Sequence, residues 1–380
     1  MNSADLNLDF TEQSVFSLRS LYNRYGYIQY KMSKFEEYDL YARNKDFLVS
    51  DSVITFTDTT GKLMALKPDV TLSIIKNYKD EPGVMQRVYY NENVYRVSDE
   101  THQYKEILQT GLECMGEIDF YNLCEVLRLA VESLRSLSGE FVLEISHMGI
   151  LSGLLNAAGV DKDFVEQVSS LIADKNAHEI PRICAQYDVP QELCDKLVRF
   201  VGVYGSRDKV LAELADLCEG EEMEAALQQL KDLSAELDGW KDSSRIRFDF
   251  SLVNDMRYYD GIVFQGYIRA IPEGVLSGGQ YDKLMQRMGR ESRAVGFAIY
   301  MDLLERDLSN VKLSVSHKTL DELHPADIAD IIERLDPRLR GQVFAQLDDE
   351  MAAEAVAEQG CELWDVEYVR EAGQWFLRLY

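Results

Sequence analysis

The spacing of apolar residues along the chain changes between helical and strand periodicity, and these changes outline the fold. Between residues 10 and 25 apolar side chains recur at helical spacing, which predicts a first helix. Strand-like runs follow. The sequence SVITFTDTTGKLMAL alternates on both sides of Thr60-Gly61, which predicts a hairpin over residues 52–66. This first region therefore mixes helices with antiparallel strands.

Two further helices and a strand pair are predicted before residue 150. LKPDVTLSIIKNY predicts a helix that starts near Pro68, because proline is favoured in the first helical turn. Two long strands, VMQRVYYNENVYRV and ILQTGLECMGEI, are joined by the polar stretch Ser98–Lys105. Glu125–Leu137 has the periodicity of an amphipathic helix.

From Leu151 to about Trp240 strand signals vanish, and Ala, Leu, Glu, Lys and Asp recur at helical spacing. Strands return afterwards in SRIRFDFSLV, DGIVFQGYI and GVLSGG. We therefore predict an α+β domain over residues 1–150 and 241–310, interrupted by a helical insertion over 151–240. Residues 311–380 form an atypical tail, with short helices and then a hairpin that turns at Glu371–Gly373.

The composition excludes several classes of protein. The formal net charge of −26 over 380 residues repels phosphate backbones, so we expect no nucleic-acid partner. No run of about 18 apolar residues and no signal-peptide pattern is present, which favours a cytoplasmic protein without membrane contact. The six cysteines lack metal-site or disulfide spacing, so we expect reduced core thiols, no metal site and no cofactor.

Three stretches carry the residues suited to ligand chemistry. The strand pair VYRVSDETHQYKEILQTGLECMG contains Arg96, Gln109 and Glu113, and the last two are four positions apart on one strand face. Asp69 and Thr71 lie at the start of the predicted helix. In LSGGQYDKL two further residues allow close approach of a backbone or a ligand, or form only a β-bulge: Gly278 and Gly279.

In this order, these stretches resemble the class II aminoacyl-tRNA synthetases and specifically the histidyl-tRNA synthetase family. The resemblance covers roughly residues 8–310: VYR…QTGLE is similar to motif 2, LSGGQYDKL…AVGFAIYMDLL to the motif 3 region, and MRYYDGIVF to the histidine-recognition segment. It implies a class II synthetase-like antiparallel sheet flanked by helices. Glu36 and Glu37 either belong to a solvated loop or, with residues 32–41, correspond to the motif 1 region at the dimer interface of the family.

The resemblance also implies a histidine site. Asp69, Thr71, Gln109 and Glu113 would surround the ammonium group and the ring of histidine. Tyr258 and Tyr259 would flank the imidazole, although adjacent strand residues face opposite sides and at least one tyrosine is then expected in the core. Carboxylates suit an ammonium group, and tyrosine offers a flat face and a hydroxyl group.

The reaction groups of the family are mostly absent. Arg96 matches the motif 2 arginine, but the sequence has Gln103, Asn254 and Leu303 where the family's other arginines are expected. Removal of three cations that stabilise phosphate charge predicts a rate loss of about 10⁶-fold or more. Two cations near in the sequence, Lys105 and Arg257, are the alternative source of that charge.

A subgroup of the family fits this pattern better. DFSLVNDMRYYDGIVFQGYI and GVLSGGQYDKLM are similar to the synthetase-like regulatory subunits of ATP phosphoribosyltransferase. That resemblance implies a non-catalytic subunit of the first step of histidine biosynthesis, with a homodimer core inside a hetero-octamer. Its partner would be the short-form catalytic subunit and its effector histidine. The alternatives are an active histidine-activating enzyme and an interaction protein that acts through its tail.

The tail resembles other proteins. Residues 319–358 are similar to the N-terminal domain of MgtE-type magnesium transporters, and residues 360–380 to the opening of RimP-type ribosome maturation factors. Asp321, Asp327 and Asp330 either contact a cation or belong to a solvated helix face. We assign the tail no function.

Overall fold

The computed structural model describes the following residues: 10–48, 53–97, 102–253, 258–269 and 271–304, with the backbone of 366–371 and 374–379. The chain divides into two compact units, residues 1–305 and 306–380. In the second unit two antiparallel strands pair, Val366–Glu371 with Gln374–Leu379. The three aspartates named in the tail lie outside the described residues.

The strands of the first unit are β1 (Ile28–Gln29), β2 (Phe35–Glu37), β3 (Thr55–Thr57), β4 (Leu63–Leu66), β5 (Gln86–Val97), β6 (Tyr104–Gly116), β7 (Phe141–His147), β8 (Tyr204–Gly205), β9 (Ile246–Asp249), β10 (Ile262–Ile268), β11 (Leu276–Gln280) and β12 (Arg293–Tyr300). Its helices are α1 (Phe10–Arg24), α2 (Tyr38–Arg43), α3 (Thr71–Asn77), α4 (Phe120–Leu137), α5 (Met148–Ala157), α6 (Lys162–Ala173), α7 (Ile180–Gln186), α8 (Gln191–Val201), α9 (Arg207–Ala215), α10 (Glu221–Asp238) and α11 (Asp282–Arg287).

One large sheet organises the described part of this unit. Nine strands follow the order β1-β5-β6-β12-β11-β10-β7-β9-β8. The six strands from β5 to β7 are antiparallel neighbours, whereas β1 and β9 pair in parallel with β5 and β7. A separate three-stranded sheet contains the hairpin of β3 and β4 and the strand β2. The predicted α+β class and the antiparallel sheet flanked by helices are confirmed.

Local hydrogen bonds move two helix starts away from the predicted positions. Helix α4 begins at Phe120, five residues before the predicted Glu125, because Asp119 and Asn122 form a reciprocal cap at its N-terminus. Helix α3 begins at Thr71 and not at Pro68. The carboxyl of Asp69 accepts a hydrogen bond from Leu72 N at 2.8 Å, so it lies just ahead of the first helical turn.

Helices α5 to α10 lie between β7 and β9 along the chain, and one short strand interrupts them. The strand β8 pairs antiparallel with β9 at the edge of the large sheet and was not predicted, since two residues produce no periodic signal. On the sheet side, Phe250 contacts the ring of Phe200 with a centroid distance of 5.3 Å. The helical region is therefore packed against the sheet through named aromatic and backbone contacts.

The two faces of the sheet have different neighbours. Leu112 and Cys114 of β6 face the apolar cluster formed with α1 and α4, while Met115 belongs to a second cluster on the opposite face. Strand alternation places Glu113 on this second face. The five cysteines in the described residues are buried and free, as predicted. None of the described helices combines the length and apolarity needed to cross a bilayer.

The contact between β6 and β12 leaves no room for a side chain at Gly111. A Cβ atom there would lie 2.3 Å from the carbonyl oxygen of Phe297 and 2.5 Å from the hydroxyl of Tyr90. We expect Gly111→Ala to lower the free energy of unfolding by about 2 kcal/mol or more, because rigid backbone must move. Urea unfolding followed by circular dichroism measures this change.

Gly139 is the matched control, since a Cβ atom there meets nothing within 4 Å. We expect Gly139→Ala to change the free energy of unfolding by less than about 0.5 kcal/mol. Equal stabilities of the two variants would contradict the close strand packing at Gly111.

Candidate functional site

A cavity of about 360 Å³ opens on the face of the large sheet opposite α1 and α4. Seven of the nine predicted site residues line it: Asp69, Thr71, Arg96, Gln109, Glu113, Tyr258 and Tyr259. They come from the turn before α3, its first residue, the strands β5 and β6, and the segment ahead of β10. Three stretches that are distant in sequence therefore form one site.

Glu113 is buried in the wall of this cavity and is held by two hydroxyl groups. Thr71 Oγ1 donates to Glu113 Oε1 at 2.7 Å, and the hydroxyl of Tyr281 donates to Glu113 Oε2 at 2.5 Å. Burial raises the pKa of Glu113 to about 8, and the nearby Asp69 carboxyl adds to this, although both hydrogen bonds act in the opposite direction. The side chain is therefore mostly protonated at neutral pH.

The neighbouring strand has a glycine where Glu113 needs space. In the register of β6 and β12, Glu113 is opposite Gly296. A Cβ atom on Gly296 would lie 1.7 Å from Glu113 Oε2. The carboxyl group consequently lies flat against the backbone of β12, and the glycine is required for the geometry of the site.

Asp69 and Arg96 stand on another side of the cavity. Burial raises the pKa of the Asp69 carboxyl, while the hydrogen bond from Leu72 N and the charge of Arg96 oppose that rise. Arg96 Nε donates to the carbonyl oxygen of Pro68 at 3.2 Å, which ties β5 to the turn before α3. The arginine thus orients the segment that carries Asp69 as well as supplying charge.

Tyr258 and Tyr259 both line the cavity, and Tyr258 also belongs to a buried apolar cluster, as expected for at least one of the pair. Their ring centroids are 4.7 Å apart, and Tyr258 lies 5.9 Å from the ring of Tyr281. Burial raises the pKa of each of these hydroxyls. They therefore stay neutral and offer hydrogen-bond donors beside flat apolar faces.

Gly278 and Gly279 lie behind the cavity wall and do not join the described residues that line it. A Cβ atom on Gly279 would meet the ring of Tyr259 at 2.7 Å, and one on Gly278 would meet the backbone of Gly296 at 2.4 Å. Both glycines allow close packing within the sheet. The prediction that they contact a ligand is therefore not supported by their position, because Tyr259 covers Gly279.

The sequence argument missed several lining residues. Gln265, Ser277, Tyr281 and Tyr300 also face the cavity. Gln265 had a usable signal, since it is a polar residue in the apolar strand IVFQGYI. Tyr281 had no such signal in the sequence, because a tyrosine after a strand with two glycines is usually a core residue. Only the structure shows that its hydroxyl donates to Glu113.

Positive charge is scarce in this site. Among the described residues that line the cavity, Arg96 is the only lysine or arginine. Gln103 and Lys105 are exposed on the strand pair, and Leu303 packs against the apolar core. Asn254 and Arg257 lie outside the described residues.

The described cavity offers two carboxyl groups, one guanidinium group, amides and neutral tyrosine hydroxyls. This set suits a small molecule with an ammonium group and a polar ring, because carboxyls attract the cation and the hydroxyls donate to or accept from ring nitrogens. No cluster of three or more His, Cys, Asp or Glu side chains placed to hold a metal is found among the described residues.

Comparisons with known proteins find relatives over most of the chain. An ATP phosphoribosyltransferase regulatory subunit from Oceanobacillus iheyensis is 29% identical over 301 residues, covering 78% of this chain and 74% of its own. The crystal structure of an ATP phosphoribosyltransferase regulatory subunit/histidyl-tRNA synthetase from Bacillus halodurans C has a TM-score of 0.70 at 25% identity, covering 78% of this chain and 79% of its own.

A structure of an ATP phosphoribosyl transferase (HisG:HisZ) complex from Thermotoga maritima shares the fold, with a TM-score of 0.60 at 23% identity over 77% of this chain and 98% of the matched one. The family model described as histidyl-tRNA synthetase matches residues 8–304. This match spans the sheet, the helical region and every residue that lines the cavity. The chain therefore belongs to the histidyl-tRNA synthetase family.

Proposed function

We propose that this chain is a regulatory subunit of ATP phosphoribosyltransferase, required for the first step of histidine biosynthesis and conveying feedback inhibition by histidine. Relatives with that name, such as the one from Oceanobacillus iheyensis, align over three quarters of the chain. The Bacillus halodurans C structure, whose description includes the same name, supports the proposal at 25% identity.

The charge balance of the cavity carries the proposal. Two carboxyl groups, Asp69 and Glu113, face one guanidinium group, Arg96, among the described lining residues. This balance favours an amino acid with a free ammonium group and disfavours the triphosphate of ATP. Histidine fits because its ring nitrogens match the hydroxyls of Tyr258 and Tyr281 and the carboxyl of Glu113.

The regulatory role implies a partner and an assembly. We propose the short-form catalytic subunit as partner, and a homodimer of this chain as the core of a hetero-octamer. Within the chain, residues 1–150 and 241–310 would form the synthetase-like domain, and residues 151–240 a helical insertion. Residues 311–380 are left without a proposed function.

The second candidate is an active histidine-activating enzyme, and membership of the histidyl-tRNA synthetase family favours it. Adenylation requires cations that stabilise charge on the phosphates of ATP. Arg96 alone supplies such a charge among the described lining residues. We therefore propose that the site binds an amino acid without reacting.

Reconstitution tests the regulatory proposal. We expect a purified short-form catalytic subunit to show strong ATP phosphoribosyltransferase activity only when this chain is added, and histidine to inhibit the mixture. Size-exclusion chromatography with light scattering would then show a mixed complex. A catalytic subunit that neither binds this chain nor gains activity from it would overturn the proposal.

Histidine-dependent exchange between ATP and pyrophosphate separates the two candidates. With most phosphate-binding cations absent, we expect exchange at least about 10⁴-fold slower than that of an authentic histidyl-tRNA synthetase assayed alongside, allowing for non-additive losses. Exchange at a comparable rate would establish the enzyme and sink the regulatory interpretation.

Glu113 gives the pocket a distinctive pH dependence. The pKa rises from 4.5 to about 8 on folding, so the folded chain keeps a proton that the unfolded chain has released. Stability from this group is full below 4.5 and is lost as the pH rises towards 8, with a slope of up to about 1.4 kcal/mol per pH unit. Glu113→Gln should therefore unfold at a higher temperature than the wild type at pH 8 and lack this slope.

The same variant should bind histidine at least about tenfold more weakly in calorimetry, since it loses the carboxyl group that can ionise beside the ammonium group or ring cation of histidine. Glu117→Gln is the matched control, because Glu117 is exposed just beyond β6. It should leave both measurements unchanged. Parallel pH profiles for the wild type and Glu113→Gln would refute the buried, proton-retaining state of Glu113.

A further inference from the structure

The last residue of β9 and the residue after it are held by the helical region between β7 and β9. Lys175, which follows α6, places Nζ 2.8 Å from Asp249 Oδ2. Phe250 N donates to the carbonyl oxygen of Val203 at 3.1 Å, and the Phe250 ring contacts Phe200. Three residues from different parts of that region therefore fix two consecutive residues of the chain.

Asp249 also holds the residues that follow it in the chain. Its Oδ1 accepts hydrogen bonds from Ser251 N at 2.8 Å and from Ser251 Oγ at 2.6 Å, which shapes the turn that follows. Leu252, at the end of this turn, forms a small apolar cluster with Met148 and Val263. Tyr259, a wall of the ligand cavity, packs against that cluster.

Lys175 itself has an unusual backbone. Its φ of 53° lies in the left-handed region at the end of α6, where Asn176 N donates to Leu171 O. Helix ends of this kind favour glycine, which has no Cβ atom to strain. A lysine at this position therefore strains the backbone. Its side chain pairs with Asp249, and Nζ lies 4.1 Å from the ring centroid of Tyr204.

We propose that Lys175 is a positioning residue, which couples the helical insertion to the amino-acid pocket through Asp249 and the apolar cluster of Leu252, against which Tyr259 packs. The inference rests on the proposed function, because it requires the pocket to bind histidine. Coupling of this kind is reciprocal: if the insertion stabilises the bound form of the tyrosine wall, histidine stabilises the packing of the insertion by the same factor. The coupling would give the helical insertion a role in feedback inhibition by histidine.

Three variants of the full chain test the coupling by calorimetry with histidine. Lys175→Met removes the ion pair and should weaken histidine binding by about threefold, the size expected for a partly exposed pair. Lys175→Arg restores the charge and should recover most of the affinity. The control, Lys162→Met, removes an exposed pair with Glu166 in the same insertion and should bind like the wild type.

Hydrogen exchange distinguishes coupling from a merely structural role. In the wild type we expect histidine to slow exchange of the Phe250 amide, which donates to Val203 O. Lys175→Met should lose most of this histidine-dependent slowing. A lysine that only supports the fold would change exchange equally with and without histidine, and that outcome would overturn the proposal.

A further substitution of Lys175 covers the case in which Lys175→Met folds poorly. Lys175→Gly relieves the left-handed backbone, so we expect its unfolding temperature to match that of the wild type or exceed it while its histidine affinity still falls. If Lys175→Gly and Lys175→Met both bind histidine as tightly as the wild type, the coupling is overturned while the proposed ligand stands. No histidine binding by the wild type would overturn the proposed ligand and this inference with it.

Discussion

The position of one buried carboxyl group constrains the whole site. Glu113 lies in a central strand, receives hydrogen bonds from Thr71 at the start of α3 and from Tyr281 ahead of α11, and fills the space left by Gly296. The two hydrogen bonds alone join parts of the chain up to 168 residues apart. The shape of the cavity therefore depends on contacts between distant parts of the chain.

The two buried carboxyl groups of this arrangement are costly to ionise. A buried carboxyl group that has only neutral donors is costly to ionise, and burial raises the pKa of Asp69 as well. An ammonium group or a ring cation placed between the two would favour their charged forms. The buried carboxyl groups therefore lower the stability of the protein without a ligand and raise its affinity for a cationic ligand, as expected of a binding site.

The sequence predicted what depends on local pattern and on spacing, and it missed what depends on contacts between distant elements. Gln109 and Glu113 share one face of a strand, so their convergence followed from alternation alone. The role of Tyr281 and the covering of Gly279 by Tyr259 arise only when strands distant in sequence are packed. The observed starts of α3 and α4 differ from the predicted ones, because side-chain hydrogen bonds at the helix ends set these starts and the spacing of apolar residues does not show them.

The proposed loss of chemistry without loss of binding would have a simple physical basis in this cavity. An enzyme must stabilise its transition state more strongly than its substrate, which here requires cations aimed at phosphate charge. A sensor needs only affinity for the ground state of its ligand. In the proposed sensor, Asp69, Glu113 and the tyrosines would provide ground-state affinity, and Glu113 lies in a central strand of the sheet. Gln103, in the position expected for a catalytic cation, lies exposed near the tip of a strand pair. Replacement of such a cation leaves the hydrogen bonds of Glu113 intact, so a synthetase-like fold can lose turnover by substitution at its periphery while its amino-acid pocket stays fully formed.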